Sequence, residues 1–157
     1  MTREEQIEAI SAVLRAESFA VFSFAGGAAA DPPYSAVMFF AETPGMRLMF
    51  GTTAGAMKGP YLSTGNGACA QIDTRAAGLE NMSQFARVTV QGRLRRVDQE
   101  PERTQLVEAY VSKLPNAKVF VARPGVQIYL LEPSYAVCAR GLFERFEIAF
   151  SAGPPPA

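Results

Sequence analysis

The sequence predicts a mainly β fold, an antiparallel β-barrel with peripheral helices. Six or more short segments rich in aromatic and β-branched residues run through the 157-residue chain, which is the pattern of paired strands. Helical patterns occur at the N-terminus, as one short insertion and as one longer segment late in the chain. They do not alternate regularly with the strands, so a doubly wound parallel sheet is disfavoured.

In chain order, Thr2-Arg3-Glu4-Glu5 fits a capping box, with the Thr2 hydroxyl capping backbone donors and Glu5 reaching back. Ile7, Ile10, Val13 and Leu14 follow at helical spacing, and the helix should end near Arg15 to Glu17. Phe19 to Phe24 reads as the first strand, broken by Ala25-Gly26-Gly27 and a small-residue loop to Pro33. Tyr34 to Phe40 and Arg47 to Phe50 are the next two strands, and Glu42-Thr43-Pro44-Gly45 between them predicts that they form a hairpin. From Gly51 to Lys58 the chain should turn into a short helix ending near Gly65-Asn66-Gly67.

Ala68 to Asp73 reads as a strand, Thr74 to Gln84 as a polar excursion, and Phe85 to Val97 as a long strand in which Gly92 marks a bulge or a close backbone approach. Asp98 is placed to cap a helix through Leu114, with Leu106, Val107, Tyr110, Val111 and Leu114 as its buried stripe. Val126 to Leu131, Tyr135 to Ala139 and Leu142 to Phe150 supply further strands. The expectation is one domain over 1–150 with a flexible Pro-rich tail over 151–157.

Fifteen basic residues balance fifteen acidic ones. No net field draws the protein to a nucleic-acid backbone or an anionic membrane, so neither is an expected partner. The N-terminus is too acidic and polar for a signal peptide, and no apolar run approaches the ~20 residues that cross a bilayer, which points to the cytoplasm. Cys69 and Cys138 read as free thiols buried in strands. The chain contains no histidine, which excludes histidine-based triads and imidazole ligation, and no carboxylate spacing marks a metal site. The chemistry is therefore expected to come from a cofactor. Arg93, Arg95 and Arg96 read as a solvated edge of the sheet.

The segment Gly51 to Lys58 has the parts of an anion site: hydroxyls at Thr52 and Thr53, glycines that expose backbone N–H groups, and the cation of Lys58. The P-loop spacing is absent, and the same residues also make an ordinary polar turn with a solvated lysine. The run Tyr34-Ser35-Ala36-Val37-Met38-Phe39-Phe40, then Leu48-Met49-Phe50-Gly51-Thr52-Thr53 leading to Lys58, then Arg87-Val88-Thr89-Val90-Gln91-Gly92, resembles the pyridoxamine-phosphate-oxidase-like flavin-binding split barrels. The resemblance covers about Phe19 to Glu132.

It implies a flavin mononucleotide (FMN) site in which Ser35, Ala36, Val37 and Met38 lie on the segment along the ring and Thr52, Thr53 and Lys58 hold the phosphate. Met38 and Phe39 would pack on the ring, and Arg87 would reach the cofactor from the other subunit of a homodimer. Ala56 and Met57 replace the serine and arginine that precede the phosphate-site lysine in that family, and Pro33-Tyr34 replaces a basic residue. The implied function is thus an FMN-dependent oxidoreductase with a small-molecule substrate other than pyridoxamine phosphate. Tyr110 to Ala117 and Ile128 to Pro133 resemble the haem-utilisation branch of the same group. That branch makes a non-enzymatic flavin or haem binding or storage protein the alternative, with a deazaflavin the third candidate ligand. Haem would need Tyr, Cys or Met in place of imidazole.

Overall fold

A computed structural model describes residues 1–26 and 31–150. The expected tail over 151–157 and part of the first loop lie outside the described residues. Helix α1 (Arg3–Ala16) opens on the capping box, both halves of which form between Thr2 and Glu5. Its Ile10 and Leu14 are fully buried against the sheet interior.

Strands β1 (Phe19–Phe24), β2 (Tyr34–Phe39), β3 (Ala41–Thr43), β4 (Arg47–Thr53), β5 (Gly67–Asp73), β6 (Ala86–Val97), β7 (Val126–Arg140) and β8 (Glu144–Ala149) form one antiparallel sheet. Its order is β2-β1-β5-β6-β7-β4-β3, with β8 on the far half of β7. The two ends of that path, β2 and β3, are separated in sequence by Phe40 alone. A sheet whose opposite edges are joined by one residue has to curl, so the strands wrap round a common interior. Phe22 of β1 and Phe50 of β4 meet across it, ring centroids 4.8 Å apart, and Phe50 stacks on Tyr129 of β7 at 5.6 Å.

The hairpin expected between Tyr34–Phe40 and Arg47–Phe50 is a shorter one. Phe40 is buried and bends the chain, β2 pairs β1, and only β3 pairs β4. The two expected strands Val126–Leu131 and Tyr135–Ala139 are one strand, β7, irregular where Gly92 and Pro133 face each other. Gly92 is a close approach as expected: a β-carbon there would stand 1.9 Å from the Glu132 carbonyl oxygen.

After β4 the chain makes only a single 3-10 turn, Gly59–Tyr61, where a short helix was expected. The polar excursion holds α2 (Arg75–Glu80). Helix α3 (Glu102–Lys113) lies on the outer face of β3, β4 and β7, burying Leu106 and Tyr110 against Met49, Ile128 and Leu130. Asp98 does not cap it. Asp98 accepts from Arg96, and the Glu100 carboxylate takes the Thr104 N–H instead. Pro115 ends α3 in a 3-10 turn, Pro115–Ala117, followed by the short α4 (Lys118–Val121).

Arg93 is paired on both sides, with Gly67 of β5 and Glu132 of β7, whereas Arg95 and Arg96 run past the end of β5 and pair with β7 alone. Arg95 reaches Glu102 of α3 with two hydrogen bonds and Glu132 of β7 with a third. Arg93 donates to the Gly65 carbonyl and Arg96 to Asp98. Both cysteines are free, Cys138 fully buried and Cys69 partly so.

Candidate functional site

A cavity of about 580 Å³ opens where the C-terminal turn of α3 meets the end of β4. That volume lies within the roughly 300–1,000 Å³ of small-molecule and cofactor sites. One wall is β4: Thr52 follows Leu48 and Phe50 on the row that faces the interior, while Gly51 and Thr53 face the α3 side. Gly51 has a packing reason, since a β-carbon there would stand 2.9 Å from the Phe120 ring, which closes the opposite side. Met38 and Phe39, at the end of β2, reach the cavity just before the bend at Phe40. Lys58 enters from the turn after β4.

The polar groups around this mostly apolar space differ in their partners. Thr52 is 3% exposed, and its hydroxyl is buried without a hydrogen bond. A buried hydroxyl left unpaired costs about 1–3 kcal/mol. The hydroxyl has no exposed surface of its own and lies on the interior side of the β4 wall, behind the cavity lining. Tyr110 is 3% exposed and lines the same cavity, and burial pushes its hydroxyl up to about 12, so it stays protonated at neutral pH. Lys113, three residues on and therefore on the same helix face, stands 4.0 Å over the Phe40 ring and donates to the Leu14 carbonyl at 2.7 Å. Burial pulls its ammonium down to about 8, partly offset by the charges of Glu42 and Glu17. The Asn116 amide completes the polar lining.

The residues singled out in the sequence divide into two sets. Met38, Thr52, Thr53 and Lys58 line the cavity. Ser35, Val37 and Arg87 do not. They lie on the outer face of the β2-β1-β5-β6 part of the sheet, where Ser35 bonds Ser23 at 2.7 Å, Val37 is 67% exposed, and Arg87 is exposed opposite Asp73. Ala36 alternates to the other side and packs on the core. The outer face also carries Phe19 and Phe39, 54% and 48% exposed with ring centroids 4.4 Å apart. A second hollow of about 390 Å³ beside them is lined by Phe19, Val21, Val37 and the Asp73–Arg75 ion pair.

Tyr110, Lys113, Asn116 and Phe120 are site residues that the sequence reading did not assign. Lys113 left a trace: with Tyr110 and Leu114 it sits on the apolar stripe of α3, an unusual place for a cation just before a helix-ending proline. Among the described residues no three His, Cys, Asp or Glu side chains gather as a metal site, and no helix is long and apolar enough to cross a membrane.

A curled antiparallel sheet whose long strands β6 and β7 serve two halves, with helices outside, is a split β-barrel. No family model and no curated protein matches the sequence. Solved structures do match the fold. A haem-binding protein from Mycobacterium smegmatis superposes with a TM-score of 0.76 at 15% identity, covering 95% of this chain and 58% of that one, so this chain spans little more than half its length. A protein related to general stress protein 26 of B. subtilis, of the pyridoxinephosphate oxidase family, from Clostridium acetobutylicum gives 0.68 at 11% identity over 94% and 96% of the two chains. A flavin adenine dinucleotide (FAD) binding protein from Mycobacterium smegmatis gives 0.67 at 14% identity over 92% and 98%. At these identities the likeness establishes the fold.

Proposed function

We propose that this chain is an FMN-binding oxidoreductase of the pyridoxamine-phosphate-oxidase-like group, working as a cytoplasmic homodimer on a small-molecule substrate. The observation that carries the reading is a cofactor-sized, mostly apolar cavity whose lining places two lysines, Thr53 and Asn116 around it. The donors fit a flavin: Lys58 and Thr53 at the open end would hold the phosphate, Asn116 would bond polar ring atoms, the Thr52 backbone would form part of the wall, and Met38, Phe39 and Phe120 would cover the ring faces. FMN supplies hydride or single-electron transfer when bound, and the chain supplies binding, orientation and exclusion of water.

The dimer reading rests on the outer face. Exposed Phe19, Val37 and Phe39 form an apolar patch that a twofold mate would cover, and Phe39 also borders the cavity. Arg87, on that face and away from this chain's own cavity, is then the residue that would serve the partner's cofactor.

The second reading is a non-enzymatic haem or flavin storage protein, favoured by the fold shared with the haem-binding protein. In the cavity Tyr110 would be the oxygen ligand for haem, against the burial that holds its proton. The absorption spectrum of the purified protein separates these cases. Two visible flavin bands and oxidation of a nicotinamide donor at a useful rate support the enzyme. Flavin without turnover supports storage, and a Soret band supports haem. A deazaflavin gives a single shorter-wavelength band.

A further inference from the structure

The phosphate and ring contacts leave Tyr110 and Lys113 of the cavity lining unused, and Lys113 carries an amine. The chain has three lysines, Lys58, Lys113 and Lys118. Lys58 and Lys113 line the cavity and Lys118 is exposed beside it. Lys113 is half-buried among apolar groups, with the Phe40 ring 4.0 Å beneath its nitrogen. Its hydrogen bond goes to a neutral acceptor, the Leu14 carbonyl in the last turn of α1. The Phe40 ring face, Glu42 and Glu17 favour its charge through space, and the Glu42 carboxylate is itself bonded to Ser11 at 2.7 Å.

We propose that Lys113 is a covalent carbonyl-capturing site, condensing with an aldehyde or ketone group of a small molecule seated in the cavity to form an imine. The lone pair of Nζ attacks the carbonyl carbon and the C–N bond forms. The carbonyl oxygen takes the two amine protons and leaves as water, and C=N replaces C=O. No oxidant or reductant is needed. Lysines that do this chemistry are desolvated in apolar pockets, where the neutral amine is accessible. Burial already brings Lys113 down to about 8. The charged and titratable groups around it are Glu42 on β3, Glu17 at the end of α1, Tyr110 on its own helix and Lys58 across the cavity. The site shares the cavity with the proposed cofactor but does not depend on it.

The competing role is structural, with Lys113 only holding the end of α1 through Leu14. Treating the purified full chain with benzaldehyde and cyanoborohydride, then mapping the trapped adducts by peptide mass spectrometry, distinguishes the two. Lys113 should label on the order of tenfold faster than Lys118 at pH 8. Its rate should rise with pH to a midpoint near the value that burial sets, about 8. Lys113→Arg keeps a cation and a donor for Leu14 but forms no imine. It should abolish the cavity adduct while the Lys118 rate stays unchanged. Labelling of Lys113 at the Lys118 rate or slower, in the parent protein, overturns the proposal. FMN binding is titrated separately on the same preparation, so loss of the flavin reading and loss of this one are read independently.

Discussion

Gly92 of β6 lies against the backbone of Glu132 and Pro133 on β7, with space for a hydrogen and none for a methyl group: a β-carbon would meet the Glu132 carbonyl oxygen at 1.9 Å and the Pro133 Cα at 3.0 Å. Both obstacles are backbone, in the strand pair at the centre of the sheet, so neither can swing aside. Gly92→Ala should destabilise the protein by about 2 to 4 kcal/mol. Urea unfolding checks this as a lower midpoint with an unchanged slope.

Arg95 joins three elements through Glu102 and Glu132. Its hydrogen bonds hold the Glu102 carboxyl below the ordinary 4.5. A carboxyl depressed in the folded state contributes stability above its unfolded value, and that contribution is lost as pH falls through the lower folded value. The partners are more than a third exposed, 37% and 43%. Solvent screening therefore limits the effect, and Arg95→Met should cost about 1 kcal/mol at pH 7. Parent and variant should converge below the ordinary carboxylate range. A cost that is the same at pH 3 and pH 7 would mean that Arg95 acts through packing alone.

The elements legible in the sequence were those with local causes. The Thr2–Glu5 box starts α1, alternation marks β1, and Gly92 announces its close approach because only glycine fits. Pairing was not legible: β2 and β3 run almost continuously through Phe40, and nothing local shows that one half pairs β1 and the other β4. The ion-pair role of Arg95 was not legible because its acids come from β7 and α3, 37 and 7 residues away. The cavity was half legible for the same reason. Thr52, Thr53 and Lys58 are close in sequence, but the wall facing them comes from α3, and only closure of the sheet brings Tyr110 and Lys113 to it.

The outer face offers a test of the homodimer. Val37 is 67% exposed and lies beside Phe19 and Phe39, so Val37→Arg places a charge in the apolar patch without touching the core. It should leave the thermal midpoint of a monomer nearly unchanged and shift the mass measured by light scattering at micromolar concentration from dimer to monomer. A dimer that persists in the variant places the interface on another surface.

Thr52 separates a ligand site from a packing accident. Thr52→Val is close to isosteric and removes a buried hydroxyl that has no partner. Without ligand the variant should be more stable than the parent by about 1 kcal/mol, because an unsatisfied group is removed. The hydroxyl has no exposed surface, so FMN binding should weaken only where ligand entry opens the β4 wall to it. Opposite signs in melting and in fluorescence titration are the signature. Equal or lower stability together with unchanged binding would show that Thr52 finds a partner, such as water, that owes nothing to FMN.

Lys58 tests which end of the flavin faces the turn after β4. It precedes a three-residue 3-10 turn that begins at Gly59-Pro60, so no helix macrodipole adds to its charge, and its side chain is only partly buried. What remains is a point charge suited to a phosphate dianion. A charged hydrogen bond is worth about 1.5 to 3 kcal/mol before screening, and partial exposure favours the lower end, so Lys58→Ala should weaken FMN binding on the order of tenfold. Riboflavin lacks the phosphate and should bind parent and variant almost equally. The titrations need matched ionic strength, because an exposed phosphate contact is screened over a Debye length of about 8 Å at physiological salt. Raising the salt should therefore narrow the gap between parent and variant for FMN and leave riboflavin unmoved. Unchanged FMN binding in Lys58→Ala makes Lys58 a solvated surface lysine. Equal weakening of both ligands means that the turn itself, and not the phosphate contact, was disturbed.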